Sequence, residues 1–327
     1  MRELIVKELE AGQRLDKFLH KYLKEAPNSF LYKMMRKKNI VLNGKKVTGN
    51  EQIKEGDSIK LFLAEETIEK FMGNLTVSED YTKLYTKAYT ELKGIKVVSE
   101  YEDVLFINKP AGILSQRAEG NVFSANEWLI GYLLDKKSIT AEELKTFKPS
   151  VCNRLDRNTS GLLVCSKTLL GSQEMARMLK DRSLHKFYRC LVSGKCELDG
   201  VYDAFLYKDE KANKVTVYND YKEIPGLFQD KAKMIKTGMK PISYDINIDC
   251  TEMEIELFTG KTHQIRAQME KLGYPLVGDV KYDGGKSTGK TGGQLLHAYR
   301  LVFPEIKGKL SYLSGKEIIC DKPNCWM

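Results

Sequence analysis

Residues 153–164 read Asn-Arg-Leu-Asp-Arg-Asn-Thr-Ser-Gly-Leu-Leu-Val, a polar loop that leads directly into an apolar strand. Two arginines flank one carboxylate, Asp156, in this loop. The pattern fits an anion-binding or nucleophilic site. It also fits a structural turn in which Asp156 caps the amides that follow it and pairs with Arg157. Because charged turns are common on protein surfaces, the loop by itself favours the structural turn.

Short apolar segments separated by turn residues surround this loop from about residue 99 onward, and they predict β-strands. The predicted strands are 104–107, 161–165, 188–192, 253–258 and 295–302. Apolar residues at helical spacing predict three helices between them, at 124–134, 169–182 and 263–272. Strands and helices in this mixed order, without regular alternation, predict an α+β fold.

Two further motifs lie in the same region. Residues 108–112 read Asn-Lys-Pro-Ala-Gly, a turn that ends the first predicted strand. Residues 259–266 read Thr-Gly-Lys-Thr-His-Gln-Ile-Arg, in which a helix N-terminus could hold a phosphate, although the spacing is not that of a nucleotide-binding loop. No serine or cysteine elbow accompanies His263, so we expect it to be a hydrogen-bonded packing residue. Asp279 follows a glycine and is interpreted as part of a turn.

The first 63 residues form a basic segment with its own pattern. They hold 14 Lys and Arg against 8 Asp and Glu, whereas the whole chain has a net charge of +9. Residues 15–23 show one apolar helical face, a second helix follows a cap at Asn28 or Ser29, and Asn43-Gly44 predicts a hairpin. The concentration of positive charge indicates a polyanionic partner, although a merely solubilising basic surface is the alternative.

Composition limits the class of protein. A chain of 327 residues with 42% hydrophobic and 30% charged residues predicts a globular protein of two domains. No run approaches the ~20 apolar residues that span a bilayer, and charges interrupt the N-terminal stretch, so we expect neither a membrane segment nor a signal peptide and place the chain in the cytoplasm. Seven scattered cysteines predict reduced thiols. Cys320 and Cys325 lack a second pair at zinc-site spacing, so no metal is expected.

Taken together and in order, the motifs resemble those of the RluA branch of the RNA pseudouridine synthases, which includes RluC and RluD. The resemblance covers nearly all of residues 99–304. Its other islands are Lys186-Phe187-Tyr188 and Leu296-His297-Ala298. Two positions depart from the family pattern: Asn153 stands where a histidine is usual, and Pro241-Ile242-Ser243-Tyr244 replaces a more polar segment before a tyrosine. Residues 13–63 resemble the small α-L RNA-binding module of ribosomal-protein type, through Arg14-Leu15-Asp16-Lys17-Phe18, Lys37-Lys38 and 41–47.

These resemblances imply a domain plan and a fold. The plan is an RNA-binding domain over 1–66, a linker over 67–98 and a catalytic domain over 99–327. The linker is predicted from its richness in charged residues, Thr and Tyr, and the helical spacing of Tyr81, Leu84, Tyr85 and Ala88 predicts a short docked helix within it. The catalytic domain is expected to be α+β, with a mixed, mainly antiparallel sheet flanked by helices, and the N-terminal domain to be small and α/β. The implied reaction is isomerisation of uridine to pseudouridine within RNA, without a cofactor or a metal, by a chain that we expect to be a monomer.

The resemblance also implies roles for individual residues. Asp156 is expected to attack the ribose or to abstract its 2′ proton, Arg266 to hold the charge of that carboxylate, and Tyr188 to lie against the uracil and accept the proton from carbon 5. Leu155 and Ile265 are expected to pack the base. Arg154 is expected to fill the gap left by a flipped base, with Lys109, Lys186 and Lys261 along the phosphate path. The RNA contacts expected in the N-terminal domain are Arg14, Lys17, Arg36, Lys37, Lys38, Lys45 and Lys46.

The RNA target and two rival functions remain open at this point. Large-subunit ribosomal RNA is the first expectation, with transfer RNA as the alternative. A non-catalytic RNA-binding protein is one rival. A carboxylate glycosidase is the other, but it needs two paired carboxylates, and Asp279 is the only other acid in a motif.

Overall fold

The computed structural model describes residues 1–73, 79–118, 122–210, 212, 214–283, 293–323 and 326. Cys325 and residues 74–78 therefore lie outside the described residues. The N-terminal elements are β1 (Arg2–Ile5), α1 (Leu15–Tyr22), α2 (Asn28–Arg36), β2 (Ile40–Leu42), β3 (Lys45–Lys46) and β4 (Ser58–Leu61). The four strands form one antiparallel sheet in the order β1-β4-β2-β3.

The N-terminal unit has a core of its own, built from the apolar faces that the sequence predicts. Leu15, Leu19 and Leu31 are fully buried there together with Ile59. The predicted hairpin is present, and both Asn43 (φ 50°) and Gly44 (φ 74°) have the positive φ that its turn requires. The helix cap differs by one residue from the prediction, because Pro27 is the cap of α2 and Asn28 its first residue. The sequence pattern does not predict strand β1.

The segment predicted as a linker, 67–98, is largely packed structure. It contains α3 (Glu65–Met72), α4 (Glu79–Glu91) and the start of β5 (Lys96–Glu100). Ile68 of α3 is buried in the N-terminal core, and Ala88 is buried on α4, which packs against the helix Ala125–Asp135. The helical spacing of Leu84, Tyr85 and Ala88 corresponds to α4. The rest of the segment resembles a linker in sequence because charged residues surround a narrow apolar stripe on each helix.

The larger unit contains the remaining elements. They are β6 (Val104–Lys109), α5 (Ala125–Asp135), β7 (Ser150–Val151), β8 (Ser160–Ser166), α6 (Leu169–Lys180), β9 (His185–Ser193), β10 (Gly200–Asp209), β11 (Lys214–Tyr218), α7 (Gly226–Gln229), β12 (Lys233–Asp245), β13 (Cys250–Leu257), α8 (Gln264–Lys271), β14 (Leu296–Val302) and β15 (Glu317–Ile319).

Over the described residues, strands β5 to β15 form one eleven-stranded sheet. Its path is β11-β10-β12-β13-β9-β14-β8-β6-β5, with β15 beside β14 and β7 beside β8. The pairing of β14 with β8 is parallel and the other described pairings are antiparallel. The α+β prediction with a mainly antiparallel sheet is thus confirmed.

The centre of the sheet is covered on both faces, which explains its continuous apolar strands. Leu105 and Ile107 of β6 face the core that contains α5 and α8, and Phe106 faces the core that contains α6. Helix α5 begins with a capping box in which Ser124 and Glu127 satisfy each other's backbone amides. At Gly161 (φ 115°) a side chain would collide with the backbone of Ala298, so the parallel contact of β8 with β14 needs glycine.

Among the helices of the described residues, none is long and apolar enough to cross a membrane. The described cysteines are free thiols, and all of them except Cys152 are buried. Polar and apolar contacts join the N-terminal unit to the larger one. Lys7 Nζ lies 3.1 Å from a carboxylate oxygen of Glu143, the Thr146 hydroxyl donates to Glu10, and Leu9 packs against the core of the larger unit.

Candidate active site

The polar loop 153–159 connects β7 to β8 and is fastened to the turn that follows β6. Ser115 and Leu155 exchange two hydrogen bonds, in which the Leu155 amide donates to the Ser115 hydroxyl (2.9 Å) and that hydroxyl donates to the Leu155 carbonyl (2.8 Å). The Gly112 amide donates to the Arg157 carbonyl at 2.9 Å. These bonds flank Asp156 on both sides and fix the backbone that carries its carboxylate.

Asp156 and Arg266, 110 residues apart in sequence, meet at the base of a cleft. Nη1 of Arg266 donates to Oδ2 of Asp156 at 2.8 Å, and the Asp156 side chain is 29% exposed. The other side of the guanidinium donates to both oxygens of Asp279, through Nε (2.6 Å) and Nη2 (2.8 Å). The Asp279 side chain is 1% exposed, so Arg266 is anchored by a buried carboxylate and extends one nitrogen to an accessible one.

The charge of Arg266 is secure in this arrangement. Burial acts to lower the pKa of the guanidinium, but the hydrogen bonds and charges of Asp279 and Asp156 outweigh it and raise that pKa above its usual value. The guanidinium is therefore a permanent charge partner at a fixed distance from the Asp156 side chain. Within the described residues, Arg266 and His263 both approach Oδ2 of Asp156, and no hydrogen bond to Oδ1 is present. Oδ1 is thus the atom that Asp156 presents to the cleft.

The aromatic and apolar residues predicted to contact a base lie in the same cleft. Tyr188 on β9, Leu155 and Ile265 are buried and line it. Burial, followed by the charge of Asp156, raises the pKa of the Tyr188 phenol. The hydroxyl therefore stays protonated at neutral pH, and the ring offers an apolar face beside Asp156.

The cleft has a volume of about 940 Å³ and strongly positive walls. Asp156 is the only acidic residue among the described residues that line it. The basic residues along it are Arg117, Arg154, Arg157, Lys180, Arg182, Lys186, Lys208, Lys261 and Arg266. Arg154 and Lys261 are exposed, as an RNA-contacting role requires. Burial and the neighbouring Arg182 lower the pKa of the half-buried Lys186.

Lys109 does not line the phosphate path, so that prediction is wrong. Its side chain is fully buried, and Nζ donates to the carbonyl oxygens of Pro110 (3.0 Å), Ile113 (2.9 Å) and Arg157 (3.1 Å). Burial lowers the pKa of Lys109 to about 7. Its place is inside the turn, where it ties the backbone of that turn to the loop of Asp156.

The sequence does not predict the roles of several residues of the site. Asp279 does cap a turn, as predicted, by accepting from the Lys281 amide at 3.2 Å, but it also binds Arg266. His263 is hydrogen-bonded, as expected, yet its Nε2 lies 3.7 Å from Oδ2 of Asp156. The basic residues that were not predicted are Arg117, Lys180, Arg182 and Lys208. Only their positive charge marks them in sequence.

Asn153, the departure from the family pattern, has a structural contact in this chain. Its Oδ1 accepts the Val164 amide at 2.8 Å, and its Nδ2 donates to the Leu162 carbonyl at 3.4 Å. The amide side chain therefore bridges the start of the loop to β8, a task that needs both a donor and an acceptor.

The basic residues of the N-terminal unit are exposed. Those at the end of α2 and in the β2–β3 hairpin are Arg36, Lys37, Lys38, Lys45 and Lys46, and Lys17 on α1 is exposed as well. Arg14 differs, because its guanidinium is engaged by Asp16 at 2.6 Å and by Asn50 at 2.6 Å. Its charge is partly neutralised within the protein.

The chain is similar to known proteins in sequence and in fold. The sequence profile of the RNA pseudouridylate synthase family matches residues 103–271. An uncharacterized RNA pseudouridine synthase of Mycoplasma genitalium is 32% identical over 311 residues, which are 93% of this chain and 89% of that protein. The ribosomal large subunit pseudouridine synthase C of Vibrio parahaemolyticus is 26% identical over 288 residues, covering 86% of this chain and 80% of that protein. The solved structure of human RNA pseudouridylate synthase domain containing 4 superposes with a TM-score of 0.55 at 18% identity, over 76% of this chain and 94% of that one.

Proposed function

The chain belongs to the RNA pseudouridylate synthase family, and on that premise we propose that it isomerises uridines of large-subunit ribosomal RNA with Asp156 as its catalytic residue. The reaction breaks the bond between ribose carbon 1′ and uracil N1 and forms a bond from carbon 1′ to carbon 5. The hydrogen on carbon 5 is released to water, and N1 gains one. Atoms and electrons balance without an oxidant or a second substrate.

The observation that carries the proposal is the Asp279–Arg266–Asp156 chain at the base of a basic cleft. The guanidinium holds Oδ2, so the free Oδ1 is the atom placed to attack carbon 1′ or to take the 2′ proton. Both routes need an ionised carboxylate that can approach the sugar. The partial exposure of Asp156 and its ion pair with the buried Arg266 support this role.

We assign Tyr188, Leu155 and Ile265 to the uracil. The three side chains form apolar walls next to Asp156, the surroundings that a base requires once it has left the stack. Because the Tyr188 phenol stays protonated, it can accept the carbon 5 proton only after losing its own proton, and only from an intermediate in which the carbon 5 proton is already acidic. Packing against the base makes no such demand and is the role that burial supports best.

We assign the remaining cations to the RNA strand. The exposed Arg154 stands two residues before Asp156, where its planar guanidinium can stack in the gap left by the flipped uridine. Lys186 and Lys261, on the walls of the cleft, are assigned to phosphates, as are the cations of the N-terminal unit. Arg14 is the weakest of that set because Asp16 already binds it.

The choice of ribosomal RNA rests on the named relatives and on the basic N-terminal unit. The Vibrio relative is named for the large ribosomal subunit, and the match covers 86% of this chain. A separate cationic surface is most useful on a large folded RNA, because it adds phosphate contacts far from the modified base. Transfer RNA is the alternative outcome of the experiment that follows.

The experiment is carbodiimide primer-extension mapping of pseudouridine in ribosomal and transfer RNA. Three strains are compared: one with the gene, one lacking it, and one carrying Asp156→Ala. We expect a site in large-subunit ribosomal RNA to be absent from both altered strains. If pseudouridine is lost only from a site in transfer RNA, the assignment to ribosomal RNA is wrong. A site that survives in the Asp156→Ala strain but not in the deletion would overturn the role of Asp156.

A further inference from the structure

The side chain of His263 belongs to a hydrogen-bonded chain that ends at Asp156. The backbone N–H of Val215 donates to the Tyr282 hydroxyl oxygen at 3.1 Å, and that hydroxyl lies 2.9 Å from Nδ1 of His263. On the opposite side of the ring, Nε2 of His263 lies 3.7 Å from Oδ2 of Asp156. None of the roles proposed above for residues of the cleft involves the imidazole of His263.

The contacts of the Tyr282 hydroxyl favour one tautomer of the His263 ring, the one in which Nδ1 accepts. The Tyr282 oxygen already accepts from Val215, so its own proton is available to Nδ1 of His263. In a neutral imidazole one nitrogen accepts and the other donates. Nδ1 is then the acceptor, and Nε2 bears the hydrogen and faces Asp156. Burial lowers the pKa of His263 against the opposing charge of Asp156, which keeps the ring neutral at physiological pH.

The backbone of His263 is held in an unusual conformation that aims the ring this way. Its φ of 53° and ψ of 19° lie in the left-handed region, directly before the first residue of α8. This region is costly for most side chains, and His, Asn and Asp tolerate it best. Strain of this kind is retained where the surrounding structure requires the side chain in one place.

We propose that His263 is a positioning residue for the isomerisation, whose Nε2–H donates to Oδ2 of Asp156 when RNA fills the cleft. Arg266 and His263 then hold the same oxygen, which leaves Oδ1 directed at the ribose. The distance of 3.7 Å in the free protein is long for a hydrogen bond, and such bonds shorten when the substrate binds. The inference rests on the proposed role of Asp156.

The test uses two substitutions of His263, each of which keeps the contact of one ring nitrogen and removes the contact of the other. His263→Asn keeps a polar atom at the place of Nδ1, tolerates the left-handed backbone and removes the donor at the place of Nε2. His263→Gln puts an amide N–H near the place of Nε2 and gives up the contact with Tyr282. If His263 is only structural, His263→Asn should therefore be the faster of the two variants. If His263 positions Asp156, His263→Gln should be the faster. His185→Asn is the matched control, since His185 is exposed and bonded to Glu256.

The rate is measured by single-turnover release of tritium from RNA labelled with [5-³H]uridine, taken from cells that lack the gene. Full-length protein is used in excess. We expect His263→Asn to lower the saturating rate about tenfold, the effect of losing one hydrogen bond to a charged group, with the half-saturating protein concentration unchanged. His263→Gln should recover part of that rate while having the lower thermal midpoint of the two variants.

The controls separate this inference from the function on which it rests. Wild-type rates in both His263 variants, or a rate for Gln no higher than that for Asn, would overturn the role of His263 while leaving that of Asp156 intact. Absence of release by the wild-type protein, or undiminished release by Asp156→Ala, would overturn the proposed function itself. Should His263→Gln fail to fold, Tyr282→Phe replaces it, because removal of the hydroxyl frees the tautomer and lowers the saturating rate with His263 still in place.

Discussion

One guanidinium joins two carboxylates of opposite accessibility: Arg266 donates to the accessible Asp156 at 2.8 Å and to the buried Asp279 at 2.6 and 2.8 Å. The buried partner fixes the arginine, and the arginine fixes one oxygen of the accessible partner. The reactivity assigned to Asp156 and the stability of its surroundings therefore depend on different residues, and substitutions can separate them.

Asp156→Ala should abolish tritium release from 5-labelled RNA and leave the fold intact. The carboxylate is the proposed reacting group, and its removal leaves Arg266 paired with Asp279. We expect the free energy of unfolding, measured in urea, to change by no more than about 1 kcal/mol, since active-site charges contribute little to stability. If the variant unfolds instead, the loop uses Asp156 as a structural cap and the catalytic role is wrong.

Asp279→Asn should lower both stability and activity. An asparagine can accept from one guanidinium nitrogen but supplies no charge, so Arg266 remains buried without its main counter-ion. Breaking such a pair costs about 3 kcal/mol in the free energy of unfolding. A guanidinium that is no longer fixed also holds Asp156 less well, and we expect a saturating rate about tenfold lower.

The matched control for this substitution is Asp283→Asn. Asp283 lies four residues away, is exposed, and has a φ of 54° that asparagine tolerates. Equal stability of the two variants in urea would show that the Arg266–Asp279 pair contributes nothing to the fold.

The fold follows from the sequence where local pattern and burial agree. Segments such as 104–107 and 161–165 are apolar throughout because both faces of the central strands are covered. Strands β10 and β12 are not predicted because their buried positions alternate only over a short central part and include Ala204 and Thr237, which add little apolar signal. The packed helices within 67–98 resemble a linker in sequence because charge dominates their composition.

The site is predicted less completely, because its contacts are tertiary. The motifs and their resemblance to a family lead to Asp156, Tyr188 and Arg266. No spacing shows that Asp279 binds Arg266, since a turn explains the same residues equally well. The sequence places Lys109 on the surface because lysines are nearly always exposed, and nothing local shows that three carbonyl oxygens surround its Nζ.

Because His297 is buried, we expect the free energy of unfolding to be lower in mild acid than at pH 7. The side chain is fully buried between the Ser160 hydroxyl (2.8 Å) and the Cys320 thiol (3.3 Å), and burial lowers its pKa to about 4. The unfolded chain binds a proton near pH 6.5, and the folded chain does so only near pH 4. The unfolded state thus gains protons first as the pH falls, and between these values the free energy of unfolding should decrease by about 3 kcal/mol.

Urea titrations at pH 7, 6, 5 and 4 measure this slope. His297→Gln should be less stable at pH 7 and should show a shallower decline, because it removes the titrating group. His185→Asn, at an exposed histidine, should keep the wild-type slope. If the stability of His297→Gln falls with decreasing pH as steeply as that of the wild type, groups other than His297 cause the acid sensitivity.

The N-terminal cations should affect the salt dependence of RNA binding more than the chemistry. Lys37 and Lys38 are exposed at the end of α2 and are assigned to phosphates. Removing the cation from one phosphate lowers the slope of log affinity against log salt by about 0.7 to 0.9. Lys37→Ala with Lys38→Ala should therefore reduce the slope by about 1.5 on large-subunit ribosomal RNA. The saturating single-turnover rate should be unchanged, because neither lysine lines the cleft that contains Asp156. Lys307→Ala with Lys309→Ala removes the same charge from an exposed segment elsewhere and is the control. An equal reduction of slope in both double variants would show that net charge, rather than a surface at the end of α2, governs binding.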